Sequence, residues 1–435
     1  MAKSLNAYFG ISERGSTVSR EIVAGIVTFL SMVYILAVQP GIMSAAGMDT
    51  GRVFTATALS AGVATLVMAF VGRIPIALAS GLGINAYIAF TVCGAMGYKW
   101  ETALTAVLIE GLLFILLTLT GLRELIVKAI PDVIKKATAV GIGLFIAVVG
   151  LNNAGILVTG GGTPIGINPV TSGAPLVAAL GLVILVVLYA LRVPGSVFLA
   201  IIASTLIAIP FGLVPIPEGF SFVSKPPAPY FFDFDFTNVL SIDFVVVFFS
   251  LLFVDFFDTI STLAGVAHQG NLLDKDGNII NCKEALLSDA IGTVFGSIFG
   301  ATTVTSYIES ATGVSTGGKT GFASVITGVL FLAALFLSPF FLLIPSAATA
   351  PCLIFTGVLM LGSVTGLNFR DIDVALPVFI TVLMIPISYS ISTGLAWGFL
   401  SFTLVKFCTG KMNEITITTW ALSLIFLAKI IWVKA

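Results

Sequence analysis

Apolar residues run through this sequence in long blocks, separated by short stretches that collect Gly, Pro, Asn and most of the charges. The blocks fall at about Ile22 to Ala37, Val53 to Val71, Ile74 to Phe90, Thr102 to Thr120, Ala137 to Leu151, Ala174 to Leu191 and Ser196 to Leu213. A loop rich in Pro, Phe and Asp follows, from Pro215 to Ser241, and then a second series begins. It comprises Ile242 to Gly265, Ala285 to Gly300, Thr302 to Thr316, Phe322 to Ile344, Ala350 to Leu367, Val374 to Ser390 and Gly394 to Phe407. Apolar runs of roughly 17 to 25 residues suit a hydrocarbon core of about 30 Å, so the pattern predicts an all-α membrane protein with fourteen spans. An apolar tail, Thr418 to Val433, is marginal for a crossing; it either lies at the interface or packs against the bundle.

Two series of seven, each with an odd number of spans, enter the membrane with opposite orientation, which is the inverted-repeat plan of many secondary transporters. The third segment of each half supports the pairing, being short and broken by small residues: Ala79-Ser80-Gly81-Leu82-Gly83-Ile84-Asn85 in one, Glu309 to Gly318 in the other. With the N-terminus in the cytoplasm, the inside collects Arg73, Arg123, Lys128, Lys135, Lys136, Arg192, Lys275, Lys283, Lys319, Arg370, Lys406 and Lys411. The outside receives only Arg52, Lys99 and Lys225, a bias in the direction that membrane insertion imposes.

Composition agrees. Of 435 residues 58% are hydrophobic and 9% charged, with a mean hydropathy of +1.12, against about 25% charged in a soluble domain. A net charge of -1 gives no electrostatic case for nucleic acid. Met1 to Arg20 is polar and lacks the apolar core and cleavage site of a secretory signal. Cys93, Cys282, Cys352 and Cys408 are far apart and His268 is the sole histidine, so neither a structural metal nor a haem is expected, and no cofactor.

An ionisable group within the bilayer costs roughly 2.5 to 3.5 kcal/mol on insertion scales, so each needs a reason to be there. The candidates are Glu110, Asp255, Asp258 and Glu309, with Asp289 nearer a helix end. Asp255 and Asp258 are spaced i,i+3, which puts both carboxylates on one helix face, about 5 to 6 Å apart at Cβ. Burial and a neighbouring like charge favour a shared proton there, making this helix the expected seat of proton coupling; for Asp258 a purely structural polar network is an equal reading. Glu309 lies where the tenth segment breaks and can accept hydrogen bonds from the N–H groups of a planar ligand. Asn85, in the matching break, has two readings: it reads a heterocycle edge, or it satisfies broken-helix backbone. Glu110 has no partner visible in the sequence, and a structural hydrogen bond or support of proton transfer are its two readings.

Two motifs fail on spacing. Asp274-Lys275-Asp276-Gly277-Asn278 begins like a calcium loop, but the sixth position is Ile279 and the twelfth is Ala285, where Gly and Glu are required. Thr159-Gly160-Gly161-Gly162-Thr163-Pro164 lacks the terminal GK[ST] of a phosphate loop, so ATP-driven transport has no support.

The stretch Ala79 to Tyr87, the helix Phe253 to Gly265 and the run Ser306-Tyr307-Ile308-Glu309-Ser310-Ala311-Thr312-Gly313-Val314 together resemble the nucleobase/ascorbate permeases, and more narrowly the AzgA-like branch that takes adenine, guanine and hypoxanthine. That resemblance implies a core domain (22–120 and 242–345) and a gate domain (121–215 and 346–410) around a 216–241 outer loop, with 1–21 cytoplasmic and 411–435 a C-terminal tail. It implies short strands crossing in the third and tenth spans, half-helices starting there, and dimerisation through the gate. Carried over by position, Asp255 and Glu309 would contact a purine, Asn85 and the Gly83 backbone would assist, and Asp258 would support the site or proton transfer. The uracil and xanthine branches carry a histidine in the eighth span, which this chain lacks.

The expected function is therefore purine import by proton symport, with core moving against gate in a multi-pass bacterial inner or plasma membrane protein. Sodium coupling stays open, since unwound carbonyls can hold that ion. An anion carrier of the same architecture is the rival, disfavoured by intramembrane acids without intramembrane Lys or Arg. An intramembrane aspartyl protease is more remote, because Asp255 and Asp258 share one helix and no Gly-x-Gly-Asp is present.

Overall fold

The computed structural model describes residues 2–122, 130–160, 163–214, 216, 220–237, 239–275 and 277–432. Arg123 and Lys128, counted above with the basic end, lie outside these residues, as do Gly161, Gly162, Asp276 and Val433.

All fourteen predicted segments are present. Among the described residues nine helices are long and apolar enough to cross a membrane, from Val18–Ser44 to Ile391–Cys408. Leu82–Ala95, Ser196–Phe211 and Ile372–Ile387 are shorter apolar helices. Cys282–Phe299 is the ninth segment, and the tenth is split into a strand, Val304–Ser306, and a helix, Ser310–Ser315. The first segment runs on past its expected end at Ala37 to Ser44 and carries Pro40 inside it. Pro has no N–H and crowds the carbonyl four residues back, and the helix accordingly bends at Val33-Tyr34, between Val18–Met32 and Ile35–Ser44.

At the centre, strand Leu78–Ser80 pairs antiparallel with Val304–Ser306, Ala79 opposite Thr305. Gly81 N donates to Thr303 O (2.9 Å) and Tyr307 N to Ala77 O (3.0 Å), extending the ladder at both ends. Two strands leave unpaired outer edges, which lipid cannot satisfy. Side chains of neighbouring helices do so instead: Thr65 Oγ1 both donates to Leu78 O (3.0 Å) and accepts from Leu78 N (2.9 Å). Ser310 Oγ accepts from Ala77 N (3.0 Å), and Thr293 Oγ1 donates to Val304 O (2.9 Å).

Helix packing falls into two groups. The first four segments pack with the eighth to eleventh, and the fifth to seventh with the twelfth to fourteenth, the core and gate halves of the fold. Small residues let backbones approach within each group. A Cβ on Gly313 would lie 2.0 Å from Thr28 Oγ1, and one on Gly357 2.5 Å from Gly143 O.

Each end of the core is strapped. At one end Arg14 donates to Arg73 O (2.9 Å) and Lys319 O (3.2 Å), and Lys319 Nζ donates to Gly270 O (2.7 Å). Glu21, fully buried, accepts from Lys319 N (2.9 Å), Thr320 N (3.2 Å), Thr320 Oγ1 (2.9 Å) and Ala323 N (3.3 Å). It thereby caps the helix that starts at Gly321 and offsets the cost of its own burial. At the other end the Pro-rich loop lies across the core: Tyr230 accepts Arg52 over its ring at 3.8 Å and donates nothing to it, while its hydroxyl accepts from Asp49 N (2.7 Å). Thr237 N and Oγ1 both donate to Asp235 Oδ1, which holds that loop carboxyl below the usual carboxylate range.

The C-terminal helix Ile417–Trp432 packs against the bundle. Ser423 Oγ donates to Phe399 O (3.3 Å) and pairs with Thr403 Oγ1 (2.7 Å). Phe426 meets Phe399 on the fourteenth segment and Phe253 on the eighth, at ring distances of 5.5 and 5.6 Å. Its start is tied by Lys406 Nζ to Asp373 (2.6 Å) and Glu414, with Lys411 Nζ also on Asp373 (2.8 Å).

Replacing Glu21 with Ala strips several buried donors of their acceptor, at a cost of about 3 kcal/mol. Purified Glu21→Ala protein should melt well below the parent in detergent, whereas the exposed Glu13→Ala control should not; equal melting would refute the cap.

Candidate functional site

The bend at Tyr34, the strand ends and the start of the helix at Leu82 converge on one small pocket of about 40 Å³. Its core side is lined by Tyr34, Gly81, Leu82, Gly83, Asp258, Thr262, Thr305, Ser306, Tyr307, Ile308 and Glu309, and its gate side by Ile146, Thr356 and Met360. Thr262, Ile308, Glu309 and Met360 also line a vestibule of about 920 Å³, which reaches Arg192, Gln269 and Ser363. Gln269 adjoins Gly270, which Lys319 holds, so the vestibule opens at the end where the N-terminal strap lies.

Glu309 is nearly fully buried. Tyr34 donates its hydroxyl to Glu309 Oε1 at 2.6 Å, and Thr356 Oγ1 lies 3.5 Å from the Tyr34 oxygen. Asp258 accepts a long bond from Thr305 Oγ1 (3.4 Å) across the pocket wall. Tyr307 donates its hydroxyl to Ser80 O (2.5 Å), joining the two breaks. A Cβ on Gly83 would lie 3.1 Å from Ile142 Cγ2 and 3.3 Å from Ile391 Cδ1. Gly83 is thus one point where the core's broken helix touches the gate, and larger residues there would push the halves apart. The helix beginning at Leu82 starts on the pocket that both carboxylates line.

The structure brings Glu309, Gly83 and Asp258 together on this pocket and separates the other predicted residues from it. Asp255 is the main correction, since it does not line the pocket. It is fully buried and faces Thr259 Oγ1 (3.3 Å), whose hydroxyl also meets Asp289 Oδ1 and Oδ2 (3.0 and 3.1 Å). An i,i+3 pair shares a face but is offset by about 60° around the axis, and that offset turns Asp255 toward the ninth segment while Asp258 faces the pocket. Asn85 also stands behind the wall: Ser80 Oγ (3.0 Å) and Thr302 Oγ1 both donate to its Oδ1, so its side chain braces the two broken segments through their hydroxyls rather than through backbone. Its amide nitrogen is buried without a hydrogen-bond partner. Glu110 accepts from Thr303 Oγ1 (2.9 Å) and braces the same crossing from the fourth segment.

Tyr34 and Thr356 were not among the predicted residues. One aromatic hydroxyl and one threonine inside apolar blocks resemble the many that only pack, and the only local signal for Tyr34 is Pro40, which marks a bend nearby.

A family model described as a permease family, Xan_ur_permease, matches residues 19–397. The guanine/hypoxanthine permease PbuG of Bacillus subtilis is 38% identical, with 99% of this chain and 100% of PbuG covered. The adenine permease AdeQ of Escherichia coli is 37% identical, with 99% and 97% covered. In fold, the chain is similar to the transmembrane domain of the cyanobacterial bicarbonate transporter BicA, with a TM-score of 0.63, 18% identity and coverage of 87% of this chain and 96% of that one. Matched end to end in sequence and fold, the chain belongs to the nucleobase/ascorbate permease family and is a multi-pass membrane transporter, not an enzyme.

Proposed function

We propose that the chain carries purine bases, adenine, guanine or hypoxanthine, across the membrane together with protons. The observation that carries this reading is a pair of carboxylates, buried Glu309 and half-buried Asp258, on one pocket between core and gate. Full-length relatives named for adenine and for guanine/hypoxanthine supply the substrate class. A neutral base offers ring and exocyclic N–H donors, and a carboxylate acceptor is their natural complement. Among the described residues no Lys or Arg lines the inner pocket, which leaves an anion nothing to pair with and disfavours the anion-carrier reading.

In this scheme Glu309 Oε2 accepts from the base, and Asp258 takes up and releases the coupled proton. Thr356 and Met360 close the pocket from the gate, and movement of core against gate exposes it to each side in turn. With the basic end of the molecule in the cytoplasm, the vestibule faces inward, so this arrangement is the one that releases substrate. Asp255, Asp289 and Thr259 hold the eighth and ninth segments together behind the pocket, which keeps the coupling carboxylate on a rigid wall.

Uptake of radiolabelled purines into cells lacking their own purine permeases tests the assignments residue by residue. Glu309→Gln should abolish uptake, and Asp258→Asn should lower it roughly tenfold or more, the value of one charge-assisted bond, with both proteins present in the membrane. Asp255→Asn, which does not face the pocket, should keep a larger share of uptake than Asp258→Asn; the reverse order would return the substrate role to Asp255.

Coupling is tested separately in energised cells or vesicles. A protonophore should collapse accumulation while replacement of sodium by choline leaves it intact. Loss of accumulation on sodium removal alone would assign the coupling ion to sodium.

A further inference from the structure

We propose that an outer-leaflet lipid seats one acyl chain in the seam between the seventh and eleventh segments, where gate meets core. The site is separate from the pocket at Glu309, and the inference holds whichever solute the protein carries. A cavity of about 240 Å³ lies in this seam. Ile202, Leu206 and Ile209 of the seventh segment form its gate wall, and Phe340, Leu343 and Ile344 of the eleventh form its core wall. From Ile202 to Ile209 a helix rises about 10 Å. With the basic end of the molecule in the cytoplasm, both walls stand in the outer half of the membrane, so the cavity lies at the depth of outer-leaflet hydrocarbon.

Phe220 and Phe222, on the stretch that leaves the seventh segment, complete the lining. This stretch is fastened to the core wall. Phe222 meets Phe340 at a ring distance of 6.5 Å, Ser224 N donates to Phe336 O (3.0 Å), and Ser224 Oγ pairs with Ser338 Oγ (3.2 Å).

The lining decides what can enter. Among the described residues Thr205 is the only polar side chain on it, and that hydroxyl is spent on Ile201 O (2.7 Å). Water needs two to four polar partners to stay in such a place, and an apolar cavity of about 150 Å³ already suffices to hold benzene. A purine, with its several ring and exocyclic polar atoms, is excluded on the same ground. Left empty, the cavity forfeits dispersion contacts along its whole wall. Leu206, Ile216 and Phe222 line it and are nevertheless more than half exposed, so it opens sideways onto the apolar flank that the spanning helices present to lipid. An acyl chain is the apolar species always present at that opening, and it can fill the cavity without leaving the bilayer.

The test uses full-length protein in vesicles of phosphatidylethanolamine and phosphatidylglycerol containing a phosphatidylethanolamine with a photoactivatable diazirine on one acyl chain, with adducts mapped by peptide mass spectrometry. Val183 and Val187, exposed on the sixth segment, report ordinary lipid contact. Labelling within Ile202–Ile209 and Phe340–Ile344 should exceed that at Val183–Val187 several-fold, and Leu343→Trp, which fills the cavity, should remove the excess and leave the sixth-segment labelling unchanged. Equal labelling of seam and sixth segment in the wild type, or an excess that survives Leu343→Trp, would mean ordinary lipid contact only and overturns the proposal. Should the variant fail to fold, the wild type decides by titration. As the probe's share of the lipid rises, labelling at a bound site levels off while that at Val183–Val187 grows in proportion; proportional growth at both places overturns the inference.

Discussion

Everything in this molecule depends on satisfying backbone polar groups at a place where two helices are broken inside the membrane. Lipid supplies no donors or acceptors, so irregular backbone at that depth survives only when protein groups pair with it. Here the two breaks pair with each other, Leu78–Ser80 against Val304–Ser306, and Thr65, Thr293 and Ser310 complete their outer edges. Asn85, Ser80 and Thr302 bridge one side of the crossing, and Glu110 holds Thr303 on the other. The small hydroxyl residues scattered through otherwise apolar blocks are therefore the condition for having a site at all. A pocket of this kind comes with its polar groups already oriented, because the same bonds that make the break tolerable fix the side chains around it.

Much of this was legible in the sequence because membrane physics writes long, coarse signals. Span number, the two broken segments and the opposed halves follow from the spacing of apolar blocks and from Gly, Ser and Thr clusters at the third position of each series. Glu309 and Gly83 were legible too, since a carboxylate or a tight glycine at a break stands out against an apolar background. What the sequence left hidden is angular. Asp255 and Asp258 look equivalent along the chain, and only the offset around the helix, together with Thr259 and Asp289 on one side, decides that Asp258 faces the pocket. Tyr34 and Thr356 were hidden for a different reason: Tyr34 meets Glu309 across 275 residues of sequence and Thr356 across 322, and neither lies in a recognisable cluster.

The first segment's extension past Ala37 shows how a local rule was outweighed. Proline usually ends a helix, yet Ile42 and Met43 are buried in the core, and their burial favours continuing the helix beyond Pro40 with a bend one turn and a half earlier. The bend is what carries Tyr34 to the carboxylate.

The two halves of the pocket differ in kind, and the difference bears on how transport is driven. The core contributes nearly all the polar groups, Asp258, Thr262, Thr305, Tyr307 and Glu309, whereas the gate contributes Ile146, Met360 and the single hydroxyl of Thr356. A base bound mainly to one half moves with that half, and the gate needs only to present a smooth apolar surface for it to slide against. In the proposed scheme Gly83, against Ile142 and Ile391, would be such an apolar contact. Thr356 is the exception: its hydroxyl approaches both the Tyr34 hydroxyl and the Glu309 carboxyl, a polar contact that reaches the site from the gate.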